Sequence, residues 1–184
     1  MHSEKMDARD AASVAIQRTG STEDALAIRG YYDVQCFDAD GKLRWEDTIK
    51  NLVVTVGKND LLDKYFAGSA YTAAWYMGLV NGGTTPTYAA ADTLASHAGW
   101  TELAAGTAYT GNRITVGWSA ASAGSKSSTS TTFPIIATNT VAGALLSSVN
   151  TGTSGILFSA GNFTGGNRSV VSGDSILVTY TVSL

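Results

Sequence analysis

Ser175-Ile176-Leu177-Val178-Thr179-Tyr180-Thr181-Val182-Ser183-Leu184 ends the chain and decides its class. Ile176, Val178, Tyr180, Val182 and Leu184 fall on one face, and Leu177, Thr179, Thr181 and Ser183 on the other. A two-residue period rich in β-branched and aromatic residues is the signature of a strand with one buried face. The same texture starts at Tyr31, where Tyr32, Val34 and Cys36 alternate with Asp33, Gln35 and Phe37. Asp40-Gly41 is a hairpin turn signal, and Lys42 to Asp47 reads as the return strand. Ile49 to Val56 is a further β-branched run.

More short strands follow at Ala73–Val80, Arg113–Ser119, Phe133–Ala137, Gly143–Val149, Gly155–Ser159 and Ser169–Val171. Asn81-Gly82-Gly83 reads as a turn, and Ser119 to Thr132 as a loop with a polar edge strand. Many short strands between Gly-rich turns predict a mostly β fold, a β-sandwich or jelly roll. Lys58 to Gly68 is the exception. Leu61, Leu62, Tyr65 and Phe66 have helical spacing, with Asn59 placed as N-cap and Gly68 as a stop. One main helix over about 58–68 is therefore expected, covering an edge or end of the sheets. A helical turn is expected at Ala89–Ser96.

Residues 1–30 are polar, Ala-rich and weakly patterned. Short helices over Ala11–Gln17 and Ser21–Ile28 fit their spacing, but neither is long enough to hold alone. The expected organisation is an N-terminal arm, 1–30, flexible unless docked, and one β domain over 31–184.

Charge divides the chain in the same way. Residues 1–66 hold 9 of the 12 Lys+Arg and 12 of the 15 Asp+Glu. Residues 67–184 hold only Asp92, Glu102, Arg113, Lys126, Arg168 and Asp174. About one residue in four is charged in an ordinary domain, so this β region is unusually poor. A Ser/Thr/Gly surface can be buried against a partner without stranding charges. The net charge of −3 gives no electrostatic case for direct nucleic-acid binding. No apolar run reaches the ~18 residues of a membrane helix, and the first residues lack the apolar core of a signal peptide.

Groups that could carry chemistry are few. His97 and Asp92 can be joined to any of many serines on paper, but no G-x-S-x-G frame presents a nucleophile. A structural hydrogen bond is the expected role of His97. Two histidines and Cys36 fall short of a zinc site, and Cys36 reads as a buried thiol. Asp38-Ala39-Asp40-Gly41 lacks the Gly and Glu positions of a calcium loop. Gly165-Gly166-Asn167-Arg168 lacks the ending of a phosphate loop and reads as a turn. Asn162 and Asn167 open glycosylation sequons. Asp92, Glu102 and Asp174 are the only acids of residues 67–184 for a carboxylate pair. Trp45, Trp75 and Trp118 read as core, while Trp100 sits in an expected loop. The expectation is a non-enzyme with no catalytic, cofactor or metal residues and no cofactor.

Five stretches carry a resemblance. They are Asn51–Ser69 (NLVVTVGKNDLLDKYFAGS), Tyr71–Leu79 (YTAAWYMGL), Asp92–Glu102 (DTLASHAGWTE), Ser119–Lys126 (SAASAGSK) and Gly173–Thr181 (GDSILVTYT). Together they resemble a family of small tailed-bacteriophage virion structural proteins, over roughly residues 40–184. The resemblance implies a capsid decoration, or cement, protein that binds the outside of the head shell and stabilises it. It implies the major capsid protein as partner, a dimer or trimer as the homo-oligomer, and the capsid surface of the virion as location, after synthesis in the host cytoplasm. From the charge and the apolar runs given above, no direct nucleic-acid or membrane partner is expected. The alternative is a receptor- or carbohydrate-binding module of a tail or head fibre, for which exposed aromatics around Trp100 and Tyr109 would speak.

Overall fold

The computed structural model describes residues 27–68, 70 and 74–184. The helix expected over Ala11–Gln17 and residues 21–26 of the one expected over Ser21–Ile28 lie outside them. Ala27 and Ile28, the end of the second, are not helical and lead straight into the first strand.

The chain is a mostly β sandwich of two antiparallel sheets with one helix. The first sheet is built on β11 (Ser175–Ser183). One edge of β11 pairs with β1 (Arg29–Phe37), which pairs in turn with β2 (Leu43–Lys50). Its other edge is shared by β7 (Thr131–Pro134) and β6 (Ser125–Ser127). Ser128 bridges the gap between them: its amide donates to the Tyr180 carbonyl at 2.7 Å, and its Oγ accepts the Tyr180 amide at 2.9 Å.

The second sheet is built the same way on β8 (Asn139–Ser147). β4 (Tyr76–Asn81) lies on one side, with the short β5 (Ile114–Thr115) beyond it. β9 (Leu157–Asn162) and β10 (Arg168–Val170) divide the other side, and β3 (Leu52–Val53) closes that edge against β9.

The alternation read at the chain's end is the physical reason for the layering. Tyr32, Val34 and Cys36 face Ile176, Val178 and Tyr180 in register, and all six are buried in the core between the sheets. The Asp38–Gly41 turn holds the β1–β2 hairpin. Asp38 Oδ1 accepts the amides of Asp40 and Lys42, and Gly41 takes a φ of 78°. Asp38 thus satisfies turn amides, as Asx turns do.

The second sheet is buried on both faces. Met77, Leu79, Leu146 and Phe158 point into the inter-sheet core. Val80, Ala142, Leu145, Leu157 and Ala160 form a second core with Leu94 and Trp100 from the long connection after β4. This is why β4 and β8 read as continuous apolar runs rather than alternations. The expected helical turn over 89–96 is instead a pair of tight turns, closed by Asp92 N–Ala89 O and by reciprocal Thr93–Ser96 bonds.

The helix differs in position from its expected span. α1 runs Thr55–Phe66, not 58–68, and has no side-chain N-cap, so Asn59 lies inside it. Tertiary partners replace the cap. The Val54 amide donates to Phe158 O at 3.1 Å and the Thr55 amide to Ala90 O at 2.8 Å. Free amides at a helix start must find acceptors, and here the fold provides them, so the β-branched Thr55 and Val56 enter the helix. Gly57 lets the first turn lie on β9: a Cβ there would stand 2.6 Å from Phe158 O. Gly68, at φ 64°, turns the chain away just past the helix end. The apolar side of α1 is not packed on the sheets. Tyr65 is 80% and Phe66 78% exposed, and Leu61 and Leu62 are also exposed.

Candidate functional site

The six charged side chains of residues 67–184 are all engaged in contacts with other groups. Arg113 is held by Glu102 through Nε at 2.9 and 3.1 Å and through a terminal nitrogen at 2.7 Å. Its remaining nitrogen donates to the Val149 and Gly152 carbonyls. Asp174 pairs with Arg44 and accepts the Val171 amide at 2.9 Å. Asp92 Oδ2 accepts the Trp100 indole N–H at 3.0 Å and the Ala89 amide at 3.0 Å. Lys126 donates to Ser119 O at 2.8 Å and lies 6.0 Å from the Trp118 ring centre.

Arg168 completes the set around Asp47. The Asp47 carboxylate takes Arg168 Nε and a terminal nitrogen, the Thr164 amide and hydroxyl, and the Gly165 amide. The glycine-rich turn at 165–168 is therefore an anion cradle whose anion is the protein's own aspartate. Burial works against the charged form of Asp47. The bonds from Arg168, Thr164, Gly165 and Thr48 outweigh it and hold the carboxyl below its ordinary value.

The paper triad dissolves in the same way. His97 stacks on Trp100 at 3.8 Å, 17° from parallel, and its Nδ1 lies 3.0 Å from the Trp100 carbonyl. A carbonyl only accepts, so Nδ1 carries the proton. Asp92 serves the indole of Trp100. Trp100, expected in an open loop, is only 3% exposed, and Tyr109 is fully buried. The aromatic groove sought around those two residues is therefore absent there. The two sequon asparagines are tied as well: Asn162 Oδ1 accepts Tyr88 OH at 2.7 Å, and Asn167 Nδ2 donates to Gly82 O at 2.8 Å. Among the described residues, no three His, Cys, Asp or Glu side chains gather as a metal would need. No described helix is long and apolar enough to cross a membrane.

A groove opens elsewhere, between α1 and the ends of the two sheets, with a volume of about 430 Å³. Trp75, Trp118, Phe158 and Tyr180 line it from the sheets, and Leu61 and Tyr65 from α1. The rings are linked edge to face. Trp75 and Phe158 stand 5.4 Å apart at 71°, Phe158 and Tyr180 6.5 Å at 81°, and Trp118 and Tyr180 6.2 Å at 78°. Such tilted pairs fix ring positions beyond what burial alone does. Lys126, Lys64 and Asp60 supply the polar rim, with Lys64 bound to Asp60 along the helix.

Tyr180 sits at the groove's inner end. Burial pushes its phenol up to about 12, against hydrogen bonds from Ser159 and Asn51 that pull it down. Tyr32, packed 4.5 Å behind it and bonded to Ser159 at 2.8 Å, is raised well above its ordinary value, by burial first and by Tyr180 second. These phenols are neutral hydrogen-bonding groups at physiological pH. Trp75 and Trp118, read from the sequence as core, are half-buried: one side packs on the core and the other faces the groove. Leu61 and Tyr65 read from the sequence as the packed side of the helix, so no local signal pointed to the groove. No known protein family matches the chain by sequence, and no curated protein does.

Proposed function

We propose that this chain is a virion structural protein of a tailed bacteriophage, attached as a decoration protein to the outside of the head shell. One observation carries the reading. Across 118 residues of β domain, every charged side chain is spent on an internal contact. The exposed residues of that region are mostly serine, threonine, glycine and alanine. Covering such a surface with a partner strips few charges of water, and unpaired buried charge is the largest cost an interface can carry. The exposed Leu61, Leu62, Tyr65 and Phe66 add an aromatic-rich anchor of the kind that dominates interface energies. The resemblance in sequence supplies the biological setting. In this reading the partner is the major capsid protein, and repeated copies stabilise the shell by mass action.

The test is saturable co-sedimentation of the purified protein with expanded head shells that lack it, read together with the shells' disruption temperature. Bound protein at fixed stoichiometry with raised disruption temperature supports the proposal. Protein left wholly in the supernatant rejects it.

A second reading, a carbohydrate- or receptor-binding module, is favoured by the half-buried Trp75 and Trp118 flanking a groove with Lys126. Sugars stack on such rings. Quenching or blue-shift of tryptophan emission by host surface glycans, lost in Trp118→Ala, would select it over the first.

A further inference from the structure

We propose that the groove beside α1 binds one molecule of an amphiphilic carboxylate, an alkyl chain ending in a single anionic group. This does not rest on the virion reading. The groove's capacity is the first argument. Its volume of about 430 Å³ falls within the roughly 300–1,000 Å³ of small-molecule sites, which are mostly apolar with a few placed polar groups. Its walls are held before any ligand arrives, because Trp75, Phe158, Tyr180 and Trp118 brace one another in a continuous chain of ring contacts.

The ring angles decide the shape of the apolar part. Neighbouring rings cross at 71°, 81° and 78°, so no adjacent pair forms the parallel slot that a flat ring would enter. A flexible alkyl chain follows such crossed surfaces, and Leu61, Leu146 and Val182 add aliphatic wall.

Polar groups decide the head. Most of those facing the groove are already engaged. The Tyr180 hydroxyl accepts Asn51 Nδ2 at 3.2 Å, and Lys64 is bound to Asp60. That leaves too few partners for the several hydroxyls of a sugar, which lose water on entry and must be hydrogen-bonded again. What remains is Lys126 and the Thr115 hydroxyl. Lys126 spends one N–H on Ser119 O and has no carboxylate partner among the described residues. An ammonium has three N–H donors, so the others are open to an anion. With Lys64 and Asp60 cancelling, the lining carries a single positive charge, which selects one negative head group.

The experiment titrates dodecanoate, kept below its micelle threshold, into the full ¹⁵N-labelled chain and follows the indole N–H signals of the four tryptophans. Trp45 and Trp100 lie outside the groove and serve as references. One equivalent shifts Trp75 and Trp118 saturably and leaves the references in place. Dodecanoate binds at least about threefold more tightly than dodecylammonium, the scale of one exposed ion pair, and Lys126→Glu removes or inverts that preference. Leu61→Glu, at an exposed position on the α1 wall, weakens dodecanoate several-fold. Unmoved Trp45 and Trp100 signals show that both variants are folded. No saturable shift at Trp75 and Trp118, equal binding of the two head groups, or a preference unchanged in Lys126→Glu overturns the proposal. A response to host glycans where dodecanoate gives none also overturns it, as does binding seen only on anionic vesicles.

Discussion

Truncating Glu102 to alanine should be among the most damaging single changes in the β domain. The Arg113 side chain is only 7% exposed, and three of its five short contacts go to the Glu102 carboxylate. Removing that carboxylate leaves a guanidinium buried with two carbonyls and no counter-charge. Breaking a buried pair from one side costs about 3–5 kcal/mol, because the remaining ion keeps its desolvation penalty. For a domain of this size that lowers Tm by roughly 6–20 °C. The reverse truncation, Arg113→Ala, should cost less. Glu102 is 23% exposed and can recover water once the arginine is gone. The paired change Glu102→Leu with Arg113→Met should fall well below the sum of the single costs, since neither buried charge is then stranded. Urea unfolding at 25 °C, followed by tryptophan fluorescence, measures all three. A loss under about 1 kcal/mol for Glu102→Ala would refute the claim that the pair is buried and interdependent.

Gly57→Ala should lower stability although alanine favours helix by about 1 kcal/mol, because its Cβ would meet Phe158 O at 2.6 Å; a rise in Tm would contradict the packing of α1 on β9. Trp100→Phe keeps the ring but removes the donor to Asp92, leaving a buried carboxylate with fewer partners, at a cost of about 1–3 kcal/mol by urea unfolding. Asp47 has a depressed carboxyl, so its contribution to stability is complete above the ordinary aspartate range and is lost as pH falls through the folded value. Acid unfolding of Asp47→Asn should accordingly show a shallower pH dependence than the parent, and parallel curves would oppose this. Cys36 is buried, with its thiol pushed up to about 11 by burial first and by Asp174 second. Its reaction with a thiol reagent at neutral pH should therefore proceed at the rate of unfolding.

The inter-sheet layer was legible because β1 and β11 obey a period of two with apolar residues on one side only. The second core was not. β4 and β8 are apolar on both faces, and the cover on their outer side comes from a connection whose small and polar residues give no period. That is why Trp100 reads as a loop tryptophan and proves buried. The helix start was misplaced because no local cap marks it: its free amides are met by Phe158 and Ala90, distant in sequence or lacking any capping side chain. The scarcity of charge was plain from composition, but its internal use was not. Asp47 and Arg168 are 121 residues apart, and Arg44 and Asp174 130 apart. The groove escaped for a related reason, since its walls come from α1, β6, β11 and the segments around Trp75 and Trp118.

The central claim is that a surface stripped of free charge exists to be covered by a partner in the virion. Electron microscopy of intact particles, with the density fitted by this sandwich, tests it most directly. The account predicts copies at symmetry-related positions on the outside of the head, with the charge-poor surface of residues 67–184 or the exposed side of α1 against the shell. Particles that carry no such density on head or tail, from preparations in which the protein is expressed and soluble, would contradict it.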